Sequence, residues 1–180
     1  MSIASGKALL SEVTAITVIL EEVIKNCTFD GLSIKVLGMA FKFEFDATHR
    51  IFRARFYGPV NDASLSQFYA TAPAYVLQLS PRVGLTDFSE VTLFLVSAAE
   101  IRSIAAQPPI TQAPNFIRII VAPAPHIFGL SRMFQIFGEA TRPGMAVVHS
   151  LKEALQLLEI THANFEPIDP GQTSQQAANQ

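Results

Sequence analysis

The hydrophobic pattern along the chain changes period several times, and each change marks an element. Leu9, Val13, Ile16, Leu20 and Ile24 recur at helical spacing with Glu12, Glu21, Glu22 and Lys25 largely off that stripe, which predicts an amphipathic helix over residues 8–25. From Phe41 the period falls to two. Phe41, Phe43 and Phe45 face one way and Lys42, Glu44 and Asp46 the other. Ile51–Tyr57 repeats the alternation, with Phe52, Ala54 and Phe56 opposed to Arg53 and Arg55. The short polar link between the two runs predicts an antiparallel hairpin, with Gly58-Pro59 ending its ladder.

Asn61 or Asp62 can cap the next helix, whose apolar face is Leu65, Phe68, Tyr69, Ala72, Val76 and Leu79, with Pro73 expected to kink it. Val83–Phe88 reads as a short apolar strand followed by a turn opened by Asp87 and Ser89. Ser97 and Glu100 form a capping-box pair at the start of another helix. Residues 107–114 are a Pro-rich loop, and Phe116–Ala122 is a nearly continuous apolar run suited to a strand buried on both faces. Ile127, Leu130, Phe134 and Phe137 make the inner stripe of the following helix, flanked by Met133. Met145–His149 is a last strand, and Ser150 with Glu153 opens a final helix through Leu151, Leu155 and Leu158. The stretch from Asn164 to Gln180, rich in Gln, Asn and Pro, is expected to be disordered.

This alternation of strands and helices defines an α/β protein. Right-handed crossovers arrange it as a single mostly parallel sheet of about five strands with an antiparallel N-terminal edge strand. The expected organisation is a helical extension over residues 1–38, one α/β domain over 39–161 and a disordered tail over 162–180.

Composition narrows the function. The chain has 13 Lys plus Arg against 15 Asp plus Glu, a net charge of −2, and the cations are scattered, so nucleic acid is not an expected partner. Glu12 and Glu21 bracket too short an apolar run for a membrane span. The lone Cys27 can form neither an internal disulfide nor a metal site, which fits a reducing cytoplasm. The four histidines, His49, His126, His149 and His162, lack zinc spacing, no glycine-rich phosphate loop is present, and no G-x-S-x-G elbow accompanies a serine. No cofactor, metal or catalytic constellation is therefore expected. Apolar residues make up 49% of the chain and include 14 Phe, which calls for a large aromatic core or an apolar surface covered in use.

Three segments carry a resemblance: Phe56-Tyr-Gly-Pro-Val60, Asp87-Phe-Ser-Glu-Val-Thr92, and Phe128-Gly-Leu-Ser-Arg-Met-Phe134 followed by the helix start Ser150-Leu-Lys-Glu-Ala-Leu155. Through them residues 40–160 resemble the SpoIIAA-like family, which has the fold of the STAS domains (sulfate transporter and anti-sigma factor antagonist). The resemblance implies a non-catalytic protein-interaction module in bacterial regulatory signalling. In anti-sigma factor antagonists a strand-to-helix turn carries Asp-Ser-Ser-Gly, with one serine phosphorylated by a partner kinase. The matching positions are Leu95-Val96-Ser97-Ala98, so Ser97 remains while the acidic residue and the glycine do not. Ser97 is thus read as a helix cap, and through the resemblance as a candidate phosphorylation site.

The expected docking face is the 89–98 loop with the following helix, where Leu93, Phe94 and Leu95 would supply affinity. Asp87 and Ser89 are a candidate polar site or simply a turn. Arg132 is expected to be buried, pairing with Asp87 or a loop carbonyl or binding an anionic head group. The alternative reading is a carrier of a hydrophobic ligand such as a lipid, since the fold implied is similar to that of the CRAL-TRIO lipid carriers. A second copy of the chain is a further candidate partner.

Overall fold

The computed structural model describes residues 40–168. The helix expected over residues 8–25, the extension to residue 38 and residues 169–180 lie outside the described residues. The elements follow the expected order: β1 Phe41–Asp46, β2 Ile51–Asn61, α1 Asp62–Leu79, β3 Val83–Leu95, α2 Ala98–Ala106, β4 Ile117–Val121, α3 Pro125–Gly138, β5 Ala146–Val148, α4 Leu151–Leu157 and β6 Glu166–Pro167. They build one sheet of six strands in the order β5-β4-β3-β2-β1-β6. Strands β2 to β5 are parallel neighbours, while β1 is antiparallel to both β2 and β6. The hairpin is as expected, but β1 is not the edge. The first residues of the expected tail return to it: the Ile168 N–H donates to the Phe43 carbonyl at 2.9 Å.

Period-two alternation decides which face of the sheet each side chain joins. Phe41, Phe43, Phe52 and Phe56 point to the face covered by α1, α2 and α3, where Phe68 of α1 stands among them. Ring centroids there lie 4.8–6.2 Å apart, within the range of favourable tilted and edge contacts. The opposite face buries Ile51, Val83, Leu85, Ile119, Val121 and Val148 beneath α4 and the segment that follows it. Helix starts are fixed locally. Asn61 caps α1 in a reciprocal pair with Ser64, and Ser150 accepts from the Glu153 N–H at 3.2 Å. The Glu153 carboxylate reaches the His149 N–H at 2.9 Å. Helix α1 runs through Pro73 without interruption.

The inner stripe of α3 differs in phase from expectation. Ile127, Ser131, Phe134 and Gly138 are buried, whereas Phe137 is exposed. Small residues at 131 and 138 let the neighbouring elements approach, and the Arg142 guanidinium occupies the space beside Gly138. Arg142 is 2% exposed and donates to the carbonyls of Ile104, Ala105 and Gln107, so it closes the C-terminal end of α2.

The hairpin turn is held by Asp46, whose carboxylate accepts from the His49 N–H (2.9 Å), His49 Nδ1 (3.0 Å) and the Asn164 N–H (2.9 Å). Burial alone would raise this carboxyl. The His49 side chain, the two N–H donors and the His49 charge together hold it below the ordinary carboxylate range. A carboxylate depressed by folding contributes stability above its unfolded value of about 4, and that contribution is lost as pH falls through the folded value. Asp46→Ala is therefore expected to cost about 2 kcal/mol at neutral pH and to flatten the acid limb of the stability profile. Urea unfolding from pH 7 downward checks this; a variant that parallels the parent below pH 4 would sink it.

Candidate interaction surface

Strand β4 accompanies β3 only over Val83–Asp87. Beyond that point β2 and β3 run on together as a two-stranded ribbon, Tyr57–Asn61 beside Glu90–Leu95. Neither expected interruption occurs. Gly58-Pro59 does not end the ladder, and Asp87 with Ser89 does not open a turn. The register shifts between Arg55 and Tyr57 and between Gly58 and Pro59, each time with an extra residue on β3. Two bulges absorb the residues that read as a turn. Asp87 Oδ1 accepts the Ser89 N–H at 2.9 Å at the first, and Gly58 at φ +66° adopts a conformation few other residues tolerate.

The bulges set which side chains face outward. Val60 is buried, and Phe94 turns inward onto Phe88 (5.4 Å between ring centroids) and His126 (6.3 Å). Phe94 is thus an anchor of the ribbon rather than an exposed contact. The other face presents Tyr57, Leu93 and Leu95 at 40, 51 and 59% exposure, with Pro59 exposed between them. Tyr57 and Pro59 complete this exposed patch because β2, expected to end at Gly58-Pro59, runs on to Asn61. Leu93 and Leu95 are exposed, but on strand β3 rather than on a loop over residues 89–98.

Beneath this patch, on the same face of the sheet, lies a charge network. Arg53 donates from Nε (3.1 Å) and Nη2 to Asp87 Oδ2 and from Nη1 to Glu44 Oε2 (3.1 Å), with the Phe165 ring 4.9 Å from its guanidinium carbon. Arg55 bridges Glu44 and Glu90, and Lys42 lies 3.3 Å from Glu44. Three cations thus interleave with three carboxylates at the ribbon's base. The expected Asp87 partner, Arg132, is not among them. It is exposed on α3 and bonds to Gln135, because the helix phase turns Ser131 inward instead.

Ser97 caps α2, accepting from the Glu100 N–H at 3.0 Å. The reciprocal half of the box is replaced. Glu100 accepts from Ser66 Oγ at 2.8 Å, while Asp62 accepts both the Ser97 N–H (2.7 Å) and its hydroxyl (2.9 Å). An acidic residue therefore does stand at Ser97, supplied by the first turn of α1 rather than by the adjacent sequence. Of the histidines, His49 bonds Asp46 and His149 stacks on Phe128 at 4.1 Å. Among the described residues no cluster of three His, Cys, Asp or Glu could hold a metal, and no helix is long and apolar enough to cross a membrane.

No protein-family model matches the chain. No curated protein matches it either. Among solved structures it is similar to the anti-sigma factor antagonist SpoIIAA in its unphosphorylated form, at 16% identity and a TM-score of 0.47, over 68% of this chain and 100% of that one. The Bacillus cell fate determinant SpoIIAA in its phosphorylated form gives 19% identity and a TM-score of 0.39, over 66% and 99%. An uncharacterized protein with a SpoIIAA-like fold from Shewanella loihica PV-4 gives 17% and 0.44, over 71% and 99%. The α/β class expected from the sequence, a mostly parallel sheet that begins with an antiparallel hairpin, is the one present.

Proposed function

We propose that the protein is a non-catalytic interaction module that docks a protein partner on the ribbon face formed by Tyr57, Pro59, Leu93 and Leu95. The observation that carries this reading is an apolar patch raised on two strands beyond the rest of the sheet, with no described residue covering it. Large side chains in such a position would be desolvated by a partner, while the Arg55–Glu90 pair supplies a polar rim. The adjoining Asp62–Ser97 contact and the start of α2 form the other border. The sequence motifs within residues 40–160 support placing this docking in bacterial regulatory signalling, and the lone Cys27 fits a reducing cytoplasm. Phosphorylation of Ser97 would set a dianion against the Asp62 carboxylate and break the contact between the first turns of α1 and α2, a route by which docking could be switched.

A photo-crosslinking residue at position 93 in the native host, with position 152 on exposed α4 as control, is expected to trap one discrete partner only from position 93. Leu93→Asp combined with Leu95→Asp is expected to weaken that complex by at least about ten-fold while leaving thermal stability unchanged, since both side chains are half exposed or more. A folded double variant that retains full affinity overturns the assignment of the surface.

A further inference from the structure

The face of the sheet under α1–α3 is not packed throughout. Two adjoining cavities of about 80 Å³ and about 50 Å³ lie between α1 and α3 and share walls at Phe68, Tyr69, Thr86, Ile120 and Phe134. Together they approach the size at which an apolar cavity admits one benzene ring, for which about 150 Å³ suffices. The space is far too small for a lipid acyl chain, so the lipid form of the carrier reading does not fit it. The larger cavity is bordered by Phe116, whose ring tip would stand 2.9 Å from a Cβ at Gly84. Glycine at 84 is what gives that ring its seat.

One end of this space is chemically unlike the rest. Arg118 and Arg142 line it, and no Asp or Glu does. Among the described residues neither arginine has a carboxylate partner. Arg118 is held by the carbonyls of Phe116 (3.1 Å) and Thr111 (2.7 Å), and Arg142 by those closing α2 together with Thr141 Oγ1 (2.9 Å). Tyr69 reaches the same place, and among the described residues its hydroxyl has no hydrogen-bond partner. Burial pushes that hydroxyl up to about 12, against the pull of Arg142 and Arg118. Burial and the Arg142 charge lower Arg118. Arg142 is a buried cation and Arg118 a partly buried one; a buried cation ordinarily has a counter-ion, and a buried hydroxyl ordinarily has an acceptor. Both requirements are met by one anion.

We propose that this cavity binds a small apolar carboxylate, of the aryl or short acyl class, its carboxylate set among Tyr69, Arg118 and Arg142 and its apolar body directed toward Phe88, Phe94 and Leu130. The Tyr69 hydroxyl donates to the carboxylate, the two guanidinium charges neutralise it, and the aromatic walls take the carbon skeleton. The site is separate from the ribbon face and does not depend on the docking reading.

Benzoate and hexanoate, with benzyl alcohol and hexanol as uncharged counterparts, test it by amide NMR titration of the full chain. The acids are expected to bind at least about ten-fold more tightly than the alcohols, with the largest shifts at Tyr69, Thr86 and Ile120. Arg118→Gln is expected to reduce acid affinity by about ten-fold and to leave alcohol binding within about two-fold, and Tyr69→Phe to weaken the acids several-fold in a folded protein. Arg142 is left in place because it closes α2. Equal binding of acids and alcohols, no binding of either acid up to about 10 mM, or an unchanged acid affinity in Arg118→Gln would each overturn the proposal.

Discussion

Replacing Asp87 with alanine is expected to cost about 4 kcal/mol of folding stability, because it leaves the charge of Arg53 buried with half its neutralisation gone. Asp87 is fully buried, and the Arg53 side chain is only 11% exposed. In the parent protein the guanidinium is shared between Asp87 and Glu44 and covered by Phe165. The same carboxylate also accepts the Ser89 N–H, so its loss frees the backbone at the first bulge of β3. Asp87→Asn keeps an acceptor for Ser89 while removing the charge, and is expected to fall about midway. Equilibrium urea unfolding measures both. A cost below about 1 kcal/mol for the alanine variant would mean that Glu44 alone neutralises Arg53. Since the bulge aims the ribbon, the alanine variant is further expected to weaken partner docking even at temperatures where it stays folded.

Phe68→Ala is expected to cost about 4 kcal/mol as well, through loss of apolar contact and the void left behind. The ring meets Phe41 at 5.9 Å, Phe56 at 5.5 Å and Tyr69 at 5.2 Å, in edge-on arrangements that a smaller side chain cannot restore. It also walls both cavities between α1 and α3, so truncation enlarges both. Phe68→Leu, which refills most of that volume, is expected to cost about 1 kcal/mol. Denaturant midpoints with unchanged slopes would check the pair. Equal losses for leucine and alanine would show that ring geometry, not volume, governs the site.

The two effects have different origins, and they divide what could be read from the chain. Alternation in Phe41–Asp46 and Ile51–Tyr57 determined the hairpin and named the rings that enter the core, because a side chain's face follows from its parity along a strand. Asn61, Ser97 and Ser150 determined where α1, α2 and α4 begin, because an N-cap bonds to an N–H only three residues away. The alternation of elements determined the α/β class, since parallel neighbours require crossovers.

What depended on residues far apart was decided only by the tertiary structure. The ribbon exists because β2 and β3 each supply the other's hydrogen bonds beyond Tyr57, and the two bulges that make their lengths agree break the parity on which strand reading relies. Arg53 and Asp87 are 34 residues apart. Arg142 closes a helix end 35 to 38 residues upstream. Asp62 reaches Ser97 across 35 residues and supplies the acid that the local motif lacks. Arg132 and Ser131 differ by one position, about 100° of helix rotation, and only the packing of α3 on its neighbours determines which of them turns inward. Local sequence fixes elements through bonds that span a turn or two. The partners of buried charges and the phase of a helix are set by surfaces that meet only when the chain is folded.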